Sequence, residues 1–491
     1  MKTAVSLYTL ALTAALCGLA TASPVSTAGD DATVRGLETQ EWSGGLVGGI
    51  TGPADELTSH LLGSIGDAAK ADDRERVIDL LRSLEPKRSP STEEEAIAII
   101  EKIYKSGADS IIERQAQLIA NGLVSGTVED LFEYASGFAE GENGHDNDNP
   151  EPPTSVYPQA EPCDAPYSIP ESDLRSAIFI PETFTYGEKL PVILFPGTGS
   201  TGYIAYRGNL IPLLTDSDWA DPVWVNVPGL MLDDAQNNSE YAAYAINYIA
   251  SLSGRNVSIV SWSQGCPDTQ WALKYWPSTR GVTSDHIAVS GDYKGSLIAD
   301  AASLSVVLSD PSVVQQRTGS SFIETLRSDG GDSAYVPTTT VYTATDLIVQ
   351  PQSGRGASAY MLDERSVGVL NAQTQVVCKG RPAGSIHTHE NMLGNPLTVA
   401  LVEDALTHEG PGDLSRLELD EVCGSYQAPG LELGDLLVTE SVLAVAAFGL
   451  ALYLPKAVVE PRLKEYAAAP VACPQEVSGN HTIDERTTVQ F

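Results

Sequence analysis

Val257-Ser258-Ile259-Val260-Ser261-Trp262-Ser263-Gln264-Gly265 is an apolar, β-branched run that stops at a serine flanked by small residues. A helix-compatible segment, Thr269-Gln270-Trp271-Ala272-Leu273-Lys274-Tyr275, follows it. The pattern predicts a nucleophile elbow, a sharp strand-to-helix turn that lifts the Ser263 hydroxyl out of a sheet and over a helix N-terminus. Such a turn brings backbones close, so the positions two before and two after the serine need small residues. Ser261 and Gly265 meet that need, although Ser261 stands where the commoner G-x-S-x-G pattern has glycine. The plain alternative is a buried strand closed by an ordinary Ser-Gln-Gly turn, and partners elsewhere in the chain decide between the two.

Those partners occur in the order Ser, acid, His that an α/β-hydrolase follows. Thr338-Thr339-Thr340-Val341-Tyr342-Thr343-Ala344-Thr345-Asp346 is a second β-rich run ending in a carboxylate. A carboxylate at a strand's C-terminal end can orient an imidazole and stabilise the imidazolium, whereas an isolated Asp there is more often a turn residue. Ser385-Ile386-His387-Thr388-His389-Glu390-Asn391 then supplies two of the chain's seven histidines, and His408 lies in a similar setting. Upstream, the apolar run Leu190–Phe195 reads as a buried strand. It empties into Pro196-Gly197-Thr198-Gly199-Ser200-Thr201-Gly202, a loop able to present backbone N–H groups and a hydroxyl to an oxyanion. A phosphate loop is excluded, because no Lys follows in the Walker spacing and the glycines do not fit G-x-G-x-x-G.

These residues resemble the family of Candida antarctica lipase B and related fungal secreted lipases. The match is carried by Phe195–Gly202, Met231–Tyr241, Ser261–Gly265, Asp292-Tyr-Lys-Gly295, Pro311–Ser320 and Tyr342–Pro351, in order over roughly residues 160–475, about two-thirds of the chain. The resemblance implies Ser263 as nucleophile, Asp346 as the acid and His389 as the base, with His387 the weaker candidate. It further implies Thr198 and Gln264 as the oxyanion hole, Trp262 beside the alcohol side of the substrate pocket, and Asp292 and Gln316 on its acyl side. It implies a Cys378–Cys423 disulfide as well. The chain departs from the family at Cys266-Pro267-Asp268 after the elbow, and at Thr388, where the family protein has an acid before the histidine. These departures bear on chain-length preference and efficiency rather than on reaction type.

The 491 residues leave room for two or three domains and a large core. Met1–Leu16 carries one early Lys and an apolar stretch, and Ala20-Thr21-Ala22 is an A-x-A site, so residues 1–22 are expected to be a signal peptide and the protein to be secreted. Val442–Leu454 is apolar but too short to cross a bilayer. Six cysteines less Cys17 in the leader leave five, an odd number, so at least one is free or intermolecular. Cys266 is expected as a buried free thiol, with a bond to Cys163 as the alternative. Asn237, Asn256 and Asn480 open glycosylation sequons, the second in a predicted buried strand. The net charge of −36 argues against nucleic acid and disfavours anionic membrane surfaces. No metal or organic cofactor is expected.

Residues 23–138 fall outside the resemblance and read as a helical extension. Leu57, Leu61 and Ile65 recur every fourth residue, and Thr92–Glu95 forms a capping box before the stripe Ile97, Ile100, Ile103 and Tyr104. An acidic, Pro-rich linker at 139–162 leads to a hydrolase domain at 163–475 and a polar tail at 476–491. Lys87-Arg88 is a dibasic site open to a secretory protease or an ordinary surface pair. The expected fold is α/β, with a doubly wound, mostly parallel sheet preceded by a pro-segment or cap. The expected activity is ester hydrolysis on lipid substrates by a monomer. A short-chain esterase or acyltransferase on the same fold is the first alternative, and a non-catalytic lipid-binding relative the second.

Overall fold

A computed structural model describes residues 53–84, 88–105, 111–302 and 309–468. The expected leader, Lys87, Cys473, the Asn480 sequon and the C-terminal tail lie outside the described residues. Seven described strands form one sheet: β1 (Ile178–Phe179), β2 (Leu190–Phe195), β3 (Ala220–Val225), β4 (Val257–Trp262), β5 (Thr283–Val289), β6 (Thr338–Tyr342) and β7 (Val369–Gln373). Their order is β1-β3-β2-β4-β5-β6-β7, with β1 antiparallel and the rest parallel. The β2 and β4 runs show no polar alternation because both faces of a parallel sheet are covered. Alternate side chains still part into two cores, with Val192, Leu194, Val260 and Trp262 on one side and Ile193, Phe195, Val257 and Ile259 on the other. The three threonines of β6 are buried with their hydroxyls bonded to Val336 O (2.8 Å), Asn371 Oδ1 (3.0 Å) and Gly412 N (2.8 Å).

The topology fixes where a site can form. After β2 the chain adds β3 on one side and then returns to build β4 on the other. The C-terminal ends of β2 and β4, paired through Phe195 and Ser261, therefore flank the point where the winding reverses, and ligands of open α/β sheets bind in that crevice.

Helix Leu433–Leu452 begins earlier than the apolar run suggested. Glu432 and Asp435 form a reciprocal capping box at its start. At 20 residues it is long and apolar enough to cross a bilayer, which corrects the length argument made from Val442–Leu454, but 78% of its apolar window is buried inside the protein. The N-terminal extension covers one side of it. Phe132 packs edge-on against Phe448 at 5.8 Å, Arg82 lies over Phe132 at 4.2 Å, and Arg74 Nη2 donates to Leu452 O at 2.7 Å. The extension is helical as expected, with helices Pro53–Lys70, Arg74–Arg82, Glu93–Lys105, Ile111–Ala120 and Val128–Ala135. Ile100 and Ile103 of the predicted stripe are buried. Its cap differs: Thr92 Oγ1 accepts from Glu95 N (3.2 Å), but the Glu95 carboxylate takes Ser91 N (2.8 Å) instead of Thr92 N.

Residues 139–162 run along the body with many ties. Asn147 and Asn149 side chains donate to Ser176 O (2.8 Å) and Arg175 O (2.8 Å), and the Trp224 indole donates to Glu142 O at 2.7 Å. Asn256 is exposed just before β4, and only the second and third residues of its sequon enter the strand.

Cys378 and Cys423 form a disulfide across 45 residues. Cys163 is also disulfide-bonded and Cys266 is free and buried, so a bond between those two is ruled out. Replacing both Cys378 and Cys423 by serine is expected to cost about 2–4 kcal/mol through the freed loop. A lowered urea midpoint relative to the parent would show it, and an unchanged midpoint would contradict it.

Candidate active site

Ser263 follows β4 directly and adopts φ 56°, in the left-handed region that a non-glycine residue rarely enters. Its N–H donates to Val289 O of β5 at 2.9 Å, and its carbonyl accepts from Cys266 N at 2.9 Å. A side chain at Gly197 would meet Ser263 Cβ at 2.7 Å and Trp262 Cε3 at 2.9 Å, and one at Gly265 would strike the Pro196 and Phe195 carbonyls. Close backbone approach therefore requires the expected small residue at Gly265, and a glycine at 197 as well. Ser261 replaces the usual glycine because its hydroxyl has a partner, His286 Nε2 on β5 at 2.7 Å. Burial holds His286 down to about 3, so that imidazole stays neutral. The departures after the elbow are also accommodated. The Cys266 thiol donates to Ser261 O at 3.4 Å, and Asp268 accepts from Gln264 Nε2 at 3.1 Å.

The downstream residues reach the same end of the sheet. Asp346 Oδ2 and His389 Nδ1 are 2.7 Å apart, and both groups are buried. Asp346 Oδ1 accepts from Ile348 N (2.8 Å) and Val349 N (2.9 Å), so the carboxylate is held from both sides. The His389 carbonyl accepts from the Trp262 indole at 3.2 Å, with the two rings 5.0 Å apart. His389 Nε2 is buried with no hydrogen-bond partner among the described residues, which leaves one ring nitrogen for a reacting proton. His387 faces elsewhere. It stacks on Tyr426 at 4.1 Å, its Nε2 is 3.1 Å from Tyr426 O, and burial pushes it down to about 4. His408 is half-exposed beside Asp404.

Thr198, Trp262, Ser263, Gln316, His389 and Leu443 share one cavity of about 70 Å³, to which the extension contributes Ile111. Thr198 Oγ1 donates to Gln264 Oε1 at 2.7 Å, and Gln316 Nε2 donates to the same oxygen at 3.0 Å. Gln264 caps helix Gly265–Tyr275, whose first N–H groups favour negative charge. Asp292 does not line this cavity. It is wholly buried, neither oxygen has a hydrogen-bond partner among the described residues, and burial pushes it up to about 7 against the opposing pull of His389. Sequence reasoning noted Asp268 only as a departure after the elbow, and it missed His286 and two buried glutamates, Glu390 and Glu440. Glu390 directly follows His389, so an acid beside the base was visible, but its partner lies on a distant helix.

No family model matches the chain. It is 38% identical over 218 residues to lipase B of Pseudozyma antarctica, a match covering 44% of this chain and 62% of that protein, less than two-thirds of its length. The crystal structure of Aspergillus fumigatus lipase B is 43% identical and superposes with a TM-score of 0.76, covering 83% of this chain and 99% of that one.

Gly265→Ala is expected to destabilise the fold by about 1–3 kcal/mol, because backbone carbonyls cannot swing away as a side chain can. Gly281, with open space where a Cβ would lie, serves as the control. Equal melting temperatures for the two alanine variants would show that the elbow is looser than described.

Proposed function

The chain belongs to the lipase B family, and from that membership we propose that it hydrolyses carboxylic esters of lipids through an acyl-enzyme on Ser263. The observation that carries this reading is His389, bonded to Asp346 and sharing one cavity with a serine held in a strained elbow. His389 Nε2 takes the Ser263 proton as Oγ attacks the ester carbonyl carbon, and Asp346 stabilises the imidazolium that results. The Gln264 N–H and the Thr198 N–H and hydroxyl receive the oxyanion. This requires the Thr198 hydroxyl to turn from Gln264 toward the substrate. The C–O bond then breaks, His389 protonates the leaving alcohol, and water activated by His389 releases the acid. Trp262 and Gln316 wall the cavity, while Asp292 acts on His389 through its charge and not as a lining residue. The Met1–Ala22 signature supports export from the cell.

We further propose that the extension caps the site, since Ile111 lines the cavity and an adjoining space against His389 is walled by Ile103, Tyr104 and Leu118. A chain lacking residues 23–150 should give less soluble protein or altered activity, because its loss uncovers Phe448 and neighbouring apolar groups. Unchanged folding yield and activity would reject the cap.

Hydrolysis of p-nitrophenyl esters from acetate to palmitate tests the central reading. Ser263→Ala should lower kcat by at least about a thousandfold, and parent-level rates in the variant would overturn the mechanism. Activity sustained on long chains marks a lipase, whereas activity confined to acetate and butyrate marks a short-chain esterase.

A further inference from the structure

We propose that Glu440 and Glu390 form a proton-sharing carboxyl pair that positions His389 by fastening its loop to helix Leu433–Leu452. The inference rests on the reading of His389 as the base. Glu440 is wholly buried in that otherwise apolar helix, where a carboxyl is tolerated only with hydrogen bonds to offset its lost hydration. Its bonds go to the two residues that bracket His389-Glu390. Thr388 Oγ1 and Asn391 Nδ2 each donate to Glu440 Oε1 at 3.0 Å. Asn391 N in turn donates to Thr388 Oγ1 at 3.1 Å, which closes the loop on itself. His389 is thus gripped twice, by Asp346 at its ring and by Glu440 through the backbone on either side.

The second carboxyl explains why a proton is needed. Glu390 and Glu440 are both buried and feel one another's charge, and neither Glu390 oxygen nor Glu440 Oε2 has a hydrogen-bond partner among the described residues. The groups around the pair do not neutralise it. Asp346 faces Glu390 with the same sign, and the nearby Tyr426 feels only further acids, Glu93 and Glu101 of the extension. Arg114 lines a cavity with Glu390 but is drawn toward Tyr104 and Glu113. His387 is held neutral by burial. Two buried, interacting carboxylates without a paired cation do not both stay ionised, so on this proposal the pair holds one proton between them.

The pH dependence has a definite sign. Burial pushes Glu440 from its ordinary 4.5 up to about 7, and burial together with Glu440 pushes Glu390 well above its ordinary range. The folded protein therefore keeps protons that the unfolded chain releases. The fastening is complete below about 4.5 and weakens as pH rises through neutrality, and it is lost when the last shared proton leaves.

The experiment uses the full chain, with tributyrin hydrolysis followed in a pH-stat from pH 6 to 10 and thermal melting alongside. Glu440→Gln still accepts from Thr388 and Asn391 and should remain within threefold of the parent near pH 7. Glu440→Ala should lower kcat at least tenfold with KM changed less than twofold. Neither Glu440→Gln nor Glu390→Gln can form the dianion, so both should carry the alkaline fall in activity upward by a pH unit or more. Parental kcat in Glu440→Ala, or an alkaline limb unmoved in both glutamine variants, would overturn the proposal. Ser263→Ala run in parallel separates the causes, because parental activity there would mean that the reading of the site, rather than the pair, has failed.

Discussion

The close approach of three backbone segments at the elbow is the constraint on which the rest of the site depends. Phe195-Pro196-Gly197 leaves β2, Trp262-Ser263 leaves β4, and Gly265 opens the next helix, all within van der Waals reach. Ser263 enters the left-handed region as a result, a conformation that costs about 1–3 kcal/mol and persists only where surrounding structure over-determines it. Here the β5 carbonyl of Val289 and the first turn of the helix do so. The same approach brings the Thr198 loop beside Gln264, so the expected nucleophile and the expected oxyanion donors are fixed by one packing event.

The second dependency is helix Leu433–Leu452. A helix apolar on every face needs cover on every face. The sheet domain covers one side, where Ala446 crowds Gly199 and Leu443 reaches the cavity, and the extension covers another through Phe132. The helix thereby joins the N-terminal region to the site. The hydropathy that would suit a membrane is spent on this burial.

What was legible in the sequence was local or ordered along the chain. The elbow, the β6 run before Asp346 and the oxyanion loop each announce a strand end by composition, and their order along the chain named the fold. His389 could be preferred over His387 by the segment that follows it, and the structure supplies the physical reason, since His387 is spent on Tyr426. What was illegible depends on partners remote in sequence. Ser261 could be read as small enough for the turn, but its partner His286 lies on the neighbouring strand and is remote in sequence. The apolar helix, expected from about Leu436, starts one turn earlier at Leu433, where Glu432 and Asp435 form its capping box. The Thr92 cap shifted because Ser91 offers Glu95 both an N–H and a hydroxyl.

The interior acids fall into two groups. Away from the site some have cations, Asp310 with Lys456 at 2.9 Å, Asp404 with Arg416 at 2.6 Å and Glu240 with Lys464, while others such as Asp164 and Asp221 are held by the N–H and hydroxyl donors of Ser278 and Thr185. Around the site Asp268, Asp292, Glu390 and Glu440 have none among the described contacts and are held by burial, hydrogen bonds and one another. A net charge of −36 says nothing of this division, because surface acids are screened by solvent and these are not. Burial pushes all four toward their protonated forms, so the negative charge they place near His389 is far smaller than four carboxylates would give. On the proposed mechanism the helix N-terminus at Gln264 and the Thr198 hydroxyl supply positive potential to the oxyanion at short range. The elbow's tight geometry delivers those donors, so the strain in Ser263 and the charge-poor burial of the acids around His389 are complementary parts of one arrangement.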